Sequence, residues 1–307
     1  MWQLSPVNKN SYNCFQFLVT TIANFLNCDY RLMMLELWGF LYDEATDGTI
    51  GDRLRLYWNS KTDKRKHLLN FHGLSFDIIP IQAFDAKEMI CENLERGPVA
   101  VYIDSFNCSW VPFYQKIHRP HALFVLDSKS DKFIFLDQYS NSIKKNEIDL
   151  EFTNANVTDI IIFKESKKLP KISIKNAIND HLNDWEQYGF SNYKTFVFEM
   201  KNCFDISNEI NSDPVASKLV MLLKNLADDR KNFIEAIDLF EECLMINLDL
   251  TKACLIDIST RYEKLRAYFL KCAISNRVPK PKLIADELDN IYLIERQIYE
   301  RMRMIVK

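Results

Sequence analysis

The first half of the chain opens with a helical pattern of apolar positions. Immediately after Cys14, apolar side chains recur at the spacing that places them on one side of a helix. The positions that share this face are Phe15, Leu18, Ile22, Phe25 and Leu26. The same periodicity predicts two further helices, over residues 32–42 and 86–96.

Four short runs farther along have the character of strands. They are rich in β-branched and aromatic residues and are bounded by polar turns. The runs are "PVAVYID" (98–104), "HALFVLD" (121–127), "KFIFLD" (132–137) and "VTDIIIF" (157–163). The polar stretch "DSKSD" between the second and third runs predicts a hairpin. These runs indicate an antiparallel sheet that follows the first helices.

The second half lacks strand patterns. After "FKESKKLPK" (163–171), the sequence reads as about five amphipathic helices. One is predicted to start near Pro214, because proline suits the first turn of a helix, and the last is predicted over 283–304. The fold class is therefore α+β, with one domain at 1–168 and an all-helical domain at 169–307.

Composition narrows the possible partners. Of 307 residues, 48% are hydrophobic, and 39 basic side chains nearly balance 42 acidic ones. This balance does not favour nucleic acid or an anionic membrane surface as a partner. The start "MWQLSPVNKNSYNC" lacks the pattern of a signal peptide, and no apolar run has the length of a membrane span. We therefore expect a cytoplasmic protein.

Cysteine usage is consistent with that expectation. The eight cysteines are at positions 14, 28, 91, 108, 203, 243, 254 and 272. Without delivery to an oxidising compartment, free thiols are expected. No pair has C-x-x-C spacing, so no structural zinc site is predicted. Most of these thiols are expected to be small buried apolar groups.

Cys14 differs because it stands at the predicted start of a helix. The amide groups and partial positive charge at that position, together with a nearby imidazolium, lower the pKa of a thiol and make it nucleophilic. His121 opens a predicted strand, and Asp137 closes the next strand of the hairpin. The order indicates a nucleophile, a general base and acid, and a carboxylate that orients the imidazole.

An oxyanion site completes the predicted arrangement. Asn8, six residues before Cys14, is placed to offer its side-chain amide beside the backbone N–H of Cys14. Each residue also has a purely structural interpretation. Cys14 would then be core, His121 a hydrogen-bonded strand end, Asp137 a turn former and Asn8 a loop residue.

The stretch "HRPH" (118–121) offers a metal site as an alternative. Its two histidines are three residues apart, a spacing that shares a face only within a helix. Pro120 opposes a helix interior here, and the sequence shows no third ligand. We therefore predict no metal.

The segment 97–138, "GPVAVYIDSFNCSWVPFYQKIHRPHALFVLDSKSDKFIFLDQ", resembles the N-terminal domain of the butirosin biosynthesis protein H family. In that family a "V-D-x-x-x-L-P-Y" stretch leads to an "A/P-H" strand and to a hairpin that ends in Asp. The matching positions are Asp104, Pro112, Tyr114, His118, His121 and Asp137. The opening "NSYNCFQFLVTTIANFLN" matches the family's helix that begins with cysteine. Asn8 stands where related peptidases have glutamine.

The resemblance implies a papain-like cysteine-protease fold of the bacteriocin-peptidase type. It implies an acyltransferase, an amide synthase of nonribosomal-peptide-type antibiotic biosynthesis. Cys14 would take an acyl or peptidyl group from the phosphopantetheine thioester of a carrier protein and pass it to an amine or diamine. His121 and Asp137 would complete the triad. No cofactor is implied beyond the carrier's phosphopantetheine.

Two other functions stay open on the sequence. A hydrolase of the same fold, either a peptidase or a thioesterase, would release the acyl group to water. A non-catalytic module would instead bind a carrier protein through its helical half. A homodimer is compatible with either function.

Overall fold

The computed structural model describes residues 2–7, 9–57, 68–81, 86–139, 146–149, 152–153, 156–165, 173–210, 214 and 217–307. Its α-helices include α1 (Cys14–Leu26), α2 (Ile50–Arg53), α3 (Ala86–Leu94), α4 (Ile174–Asp184), α5 (Phe190–Asn202), α6 (Ile206–Glu209), α7 (Lys218–Leu244), α8 (Asp249–Ile274) and α9 (Pro281–Val306). Its strands include β1 (Leu41–Tyr42), β2 (Leu54–Arg55), β3 (Leu74–Pro80), β4 (Val99–Asp104), β5 (Pro120–Lys129), β6 (Lys132–Leu136), β7 (Asn146–Asp149) and β8 (Val157–Glu165). The fold is α+β, with antiparallel sheets and a helical C-terminal region.

The larger sheet has six strands in the order β3-β8-β4-β5-β6-β7, and all of the pairings are antiparallel. Its apolar side chains point alternately to two faces, as the pleat requires. The core on one face includes Val101, Ile103, Leu123, Val125, Phe133 and Phe135, together with Ala86 and Ile90 from α3. On the other face, Phe124 and Phe76 each contact the ring of Phe163.

The chain divides into two compact units. One consists of Met1–Tyr30 with Arg65–Pro170, and the other of Arg31–Lys64 with Lys171–Lys307. The predicted boundary at residue 168 lies close to the division after Pro170, but residues 31–64 belong with the C-terminal helices. The reason is a buried polar network, in which Arg230 donates to the carbonyl oxygens of Leu37 and Gly39.

Residues 32–42 form a different structure from the predicted single helix. A 3-10 helix covers Arg31–Leu37, and β1 follows and pairs with β2. Every residue from Leu32 to Leu37 is buried, so the apolar run has no polar face that could set a helical period. Strand β3 was not predicted. Its partly exposed positions blur the apolar alternation that the other strands show.

The helical unit has its core along α7. Phe233, Ile237 and Phe240 are fully buried on this helix. The helix starts at Lys218, and the prediction of a start near Pro214 was wrong because Ser217 has an extended backbone with φ −63° and ψ 135°. The last helix, α9, extends the predicted span by two residues at each end. Within the described residues, no helix combines the length and the apolar character that crossing a bilayer requires.

Candidate active site

Cys14 is the first residue of α1, and its position is fixed by a reciprocal cap. The side-chain oxygen of Asn13 accepts from the backbone N–H of Gln16 at 2.9 Å, and Gln16 Oε1 accepts from the backbone N–H of Asn13 at 2.9 Å. Such a capping box sets the first residue of a helix. The helix then packs against β5, and Phe15 meets Phe76 edge-on at 5.3 Å between ring centroids.

His121 is the second residue of β5 and is only 3% exposed. It lies opposite Ile103 of β4. On the other side of β5, Leu136 pairs with Phe124, and extending this register by one residue brings Asp137 opposite Leu123. Leu123 is on the same face of β5 as His121 because the two are two residues apart. The hairpin register therefore makes His121 and Asp137 diagonal neighbours.

The Asp137 carboxylate is hydrogen-bonded at both of its oxygens. Oδ2 lies 2.5 Å from His121 Nε2 and accepts from the indole Nε1–H of Trp110 at 2.8 Å. Oδ1 accepts from the backbone N–H of Tyr139 at 2.8 Å. Asp137 is 1% exposed, so these bonds replace the water that a carboxylate of this kind would otherwise need. They also fix the carboxylate in one orientation.

The thiol of Cys14 lies close enough to the imidazole of His121 for each group to shift the pKa of the other. Because Nε2 faces Asp137, Nδ1 is the ring nitrogen left for the thiol. Burial alone would raise the pKa of Cys14. The hydrogen bond and charge of His121, the backbone amide of Ala122 and the charge of Arg119 outweigh burial, so the pKa of Cys14 lies below its usual 9.0.

The pKa of His121 shifts in the opposite direction, upward. Burial favours the neutral ring, but the hydrogen bonds and charges of Asp137 and Cys14 reverse that effect and raise the pKa of His121 from 6.5 to about 9. A lowered thiol pKa beside a raised imidazole pKa favours the thiolate and imidazolium pair over the neutral thiol and imidazole. The site therefore places an easily ionised thiol next to a readily protonated imidazole.

The pKa of Cys108 shifts in the opposite direction from that of Cys14. Cys108 is also buried, on the face of the sheet that carries Asp137. Burial and the charges of Asp137 and Asp104 raise its pKa to about 12. Its Sγ donates to the backbone oxygen of Asp104 at 3.3 Å. A thiol in these surroundings stays protonated and is a poor nucleophile.

Several residues around the site were not singled out from the sequence. Tyr139 lies 5.5 Å from His121 between ring centroids, and burial, followed by the Cys14 charge, raises the pKa of Tyr102. The guanidinium of Arg119 lies 3.5 Å from the centroid of the Phe113 ring. Trp110 lies within the segment 97–138 that carries the family resemblance, but it is not among the matching positions. No spacing rule connects these residues to Cys14, because the sheet and its loops bring them together.

The two histidines of "HRPH" have separate partners. His118 Nδ1 lies 2.7 Å from Asp104 Oδ2, and its ring stacks on Phe106 at 4.0 Å. The His118 side chain is 70% exposed, whereas that of His121 is 4% exposed. Among the described residues, no group of three or more potential metal ligands is found. The predicted oxyanion residue Asn8 lies outside the described residues.

Comparison with known proteins does not assign this chain to a family. Neither the protein-family models nor the curated proteins compared with this sequence give a significant match. The resemblance to the butirosin biosynthesis protein H family therefore rests on the quoted residues alone. A functional assignment therefore depends on the geometry of Cys14, His121 and Asp137.

Proposed function

We propose that the protein is a cysteine-dependent acyltransferase that works through an acyl-enzyme on Cys14. One observation carries the proposal, namely the placement of the Cys14 thiol beside His121, whose ring is hydrogen-bonded to Asp137. A cysteine of this kind, with a base oriented by a third group, is typical of enzymes that form covalent acyl intermediates. The lowered pKa of Cys14 supports a nucleophilic role over a structural one.

A papain-like fold is part of the same proposal. Three features support it. A helix that begins with cysteine packs on an antiparallel sheet, a histidine lies near the start of a strand, and a carboxylate follows the neighbouring strand. The ring orientation also supports it, since Nε2 holds the carboxylate and leaves Nδ1 for the thiol. No residue outside the first compact unit is needed for this constellation.

Acylation would begin with attack of the Cys14 thiolate on a thioester carbonyl. A bond forms between Sγ and the carbonyl carbon, and the carbonyl electron pair moves to oxygen. As the intermediate collapses, the bond to the leaving thiol breaks, and this thiol takes the proton from His121 Nδ1. The products of the step are an acyl-enzyme, a free thiol and a neutral His121.

Deacylation would reverse the proton's path. A neutral amine attacks the acyl carbonyl and gives a proton to His121 Nδ1. Collapse breaks the bond to Sγ, releases an amide and regenerates the thiolate and the imidazolium. The Asp137 carboxylate stabilises the imidazolium in both half-reactions without itself accepting the proton. The kinetics would be ping-pong.

The oxyanion of each intermediate needs donors. Cys14 is the first residue of α1, so its backbone N–H has no partner within the helix. This amide, with the partial positive charge of the helix start, supports an oxyanion at that position. The Asn8 side chain is proposed as the second donor, as expected from the sequence.

The chemical classes of the acyl donor and the acyl acceptor come from the family resemblance rather than from the geometry of the site. We propose an acyl or peptidyl group on the phosphopantetheine of a carrier protein as donor and a primary amine or diamine as acceptor. Conversion of a thioester into an amide is downhill, so the proposed reaction needs no nucleotide. Natural-product assembly on carrier proteins is the setting that supplies such thioesters.

The proposal is tested by product analysis. The full chain would be mixed with an acyl-pantetheine thioester, with and without 1,3-diaminopropane, and thiol release and product mass would be followed. We expect amide product from the wild-type protein and at least a 1,000-fold loss in Cys14→Ala, since nucleophile and base account for about 10³ or more of such catalysis. His121→Ala should show a comparable loss.

The outcomes separate the competing functions. Amide formed in preference to acid at millimolar amine supports the transferase. Thiol release that is equally fast without amine, with acid as the product, would contradict amide synthesis and favour the hydrolase. Absence of any Cys14-dependent thiol release across short, long and aromatic acyl groups would contradict acyl transfer and favour a non-catalytic carrier-binding module.

A further inference from the structure

We infer that Trp110 is a positioning residue of this site, whose indole N–H holds the Asp137 carboxylate in the orientation that His121 requires. The inference rests on the proposed function for its catalytic meaning and on geometry for its existence. Trp110 Nε1 donates to Asp137 Oδ2 at 2.8 Å, and the same oxygen receives His121 Nε2 at 2.5 Å. Trp110 therefore touches the triad at the atom that controls the imidazole.

The indole is itself held in place by its surroundings. Its ring packs on Phe135 of β6 at 4.8 Å between centroids and approaches Phe152 at 6.2 Å. The chain turns just before it, where the Val111 N–H donates to the Cys108 oxygen at 3.1 Å. Two aromatic contacts and a turn thus fix the direction of the N–H bond. A rigid donor of this kind orients its acceptor at little entropic cost.

The remaining bonds show why this donor matters. Without Trp110, the buried carboxylate would keep the Tyr139 amide on Oδ1 and His121 on Oδ2. The oxygen that faces His121 would then lose the indole N–H that holds it in addition to the imidazole's own bond. Hydrogen bonds to buried carboxylates are among the stronger ones in proteins. Loss of one is expected to be visible in the behaviour of His121.

The direction of the effect follows from charge. The indole N–H stabilises the carboxylate most when His121 is neutral, because no imidazolium then shares the negative charge. Removing it destabilises the neutral-imidazole state relative to the imidazolium state. His121 should then hold its proton to higher pH and become a weaker acid toward the leaving thiol. The charged and titratable groups that act on His121 or on its partners are Cys14 from α1, Tyr102 from β4, Arg119 ahead of β5, and Cys108, Asp137 and Tyr139.

The test uses iodoacetate, which carries a negative charge and reacts fastest with a thiolate beside an imidazolium. Its rate with Cys14 would be measured from pH 4 to pH 11 by mass analysis of the Cys14 peptide from the full chain. We expect a bell-shaped profile for wild type. In Trp110→Phe the alkaline limb should move up by roughly half a pH unit or more, and kcat for acyl transfer should fall about tenfold with KM nearly unchanged.

Two variants separate the hydrogen bond from simple packing. Phe152→Leu removes a ring contact of Trp110 and keeps the indole N–H, so its profile should match wild type. Trp110→His restores a ring N–H donor, so its alkaline limb should lie closer to wild type than that of Trp110→Phe, and it covers the case in which Trp110→Phe fails to fold. Superimposable profiles of wild type and Trp110→Phe, or an equal shift in Phe152→Leu, would overturn the inference.

Alkylation needs no acyl donor, so this inference and the proposed function can fail separately. A shifted iodoacetate profile in Trp110→Phe supports the positioning role whether or not any thioester is turned over. An active wild-type acyltransferase whose profile and kcat are unchanged by Trp110→Phe would overturn the positioning role and leave the proposed function standing.

Discussion

Asp137 Oδ2 lies 2.5 Å from His121 Nε2, and both side chains are buried. At this distance in a low-dielectric site, the negative charge of the carboxylate favours the protonated imidazole. Through His121, the carboxylate also governs the thiol of Cys14. The hairpin register that places Asp137 beside His121 therefore influences the pKa of both His121 and Cys14.

The charge of Asp137 is the first element to test. In Asp137→Asn the amide can still bond to His121, but the negative charge that favours the imidazolium is lost, so the pKa of His121 should fall toward 6.5 and the pKa of Cys14 should rise. We expect acyl transfer at pH 7.5 to fall by about 100-fold. The rate and the thiolate absorbance near 240 nm would be measured together.

A matched control for this charge is Asp127→Asn. Asp127 lies on β5 in the same hairpin and accepts from the backbone N–H of Ser128 at 3.0 Å. It is partly exposed, so this change should leave the rate within about twofold of wild type. A similar loss in both variants would show that the effect of Asp137→Asn is not specific to the triad.

The pH dependence of acylation follows from the two pKa shifts. The active pair forms as pH rises through the lowered pKa of Cys14 and is lost as His121 gives up its proton near pH 9. We therefore expect kcat/KM for the thioester to rise as pH passes the lowered pKa of Cys14 and to fall about tenfold per pH unit above about pH 9. A rate that fell instead as pH rose through 6.5 would show that Asp137 does not raise the pKa of His121.

The two histidines of "HRPH" provide an internal comparison. His121→Ala removes the proton donor and should lower the rate by about 1,000-fold or more. His118 is exposed and paired with Asp104, so His118→Ala should change the rate by less than about threefold. Equal losses in the two variants would indicate that His118 acts in the reaction, which this site geometry does not explain.

The helical unit contains a buried ion pair whose loss should be costly. Arg230 Nε lies 2.7 Å from Glu295 Oε1, and neither side chain is exposed to solvent. Arg230→Met would leave the Glu295 charge unpaired, so the free energy of unfolding should fall by about 3–5 kcal/mol. This change in the free energy of unfolding would be measured by urea titration, with unfolding monitored by the helical circular dichroism signal.

An exposed ion pair serves as the comparison. Lys164 Nζ lies 2.7 Å from Asp77 Oδ2, and the two side chains are 60% and 57% exposed. Lys164→Met should change the free energy of unfolding by less than about 1 kcal/mol. A small effect of Arg230→Met, similar to that of Lys164→Met, would contradict a stabilising role for the buried pair.

The local patterns of the sequence were enough to predict much of the fold. The helix that starts at Cys14 and the strands that carry His121 and precede Asp137 were predicted within a few residues, because apolar periodicity and turn residues act locally. The segment 31–42 was predicted wrongly, since burial on all sides removed its polar face. Its membership of the helical unit depends on Arg230, nearly two hundred residues away.

The triad candidates could be chosen from order and residue type, but the supporting residues could not. The cap from Gln16 to Asn13 and the indole bond from Trp110 to Asp137 are set by side-chain direction. Trp110 is 27 residues from Asp137 and carries no motif. Only the register of the hairpin and the turn after β4 bring the two together.

The most direct measurement is the mass of the protein itself after reaction with a thioester. Wild type, Cys14→Ala and the control Cys28→Ala would each be mixed with an acyl-pantetheine, quenched in acid and analysed intact and as peptides. Cys28 lies just beyond the end of α1, and burial, with the charge of Glu165, raises its pKa, so it should not carry the acyl group.

We expect one acyl group on the Cys14 peptide in wild type and in Cys28→Ala, and an unmodified Cys14→Ala protein. The adduct should disappear faster after an amine is added than in buffer alone. An adduct that persists in Cys14→Ala, or unmodified wild-type protein with every thioester tried, would contradict the claim that Cys14 is the acyl-carrying nucleophile.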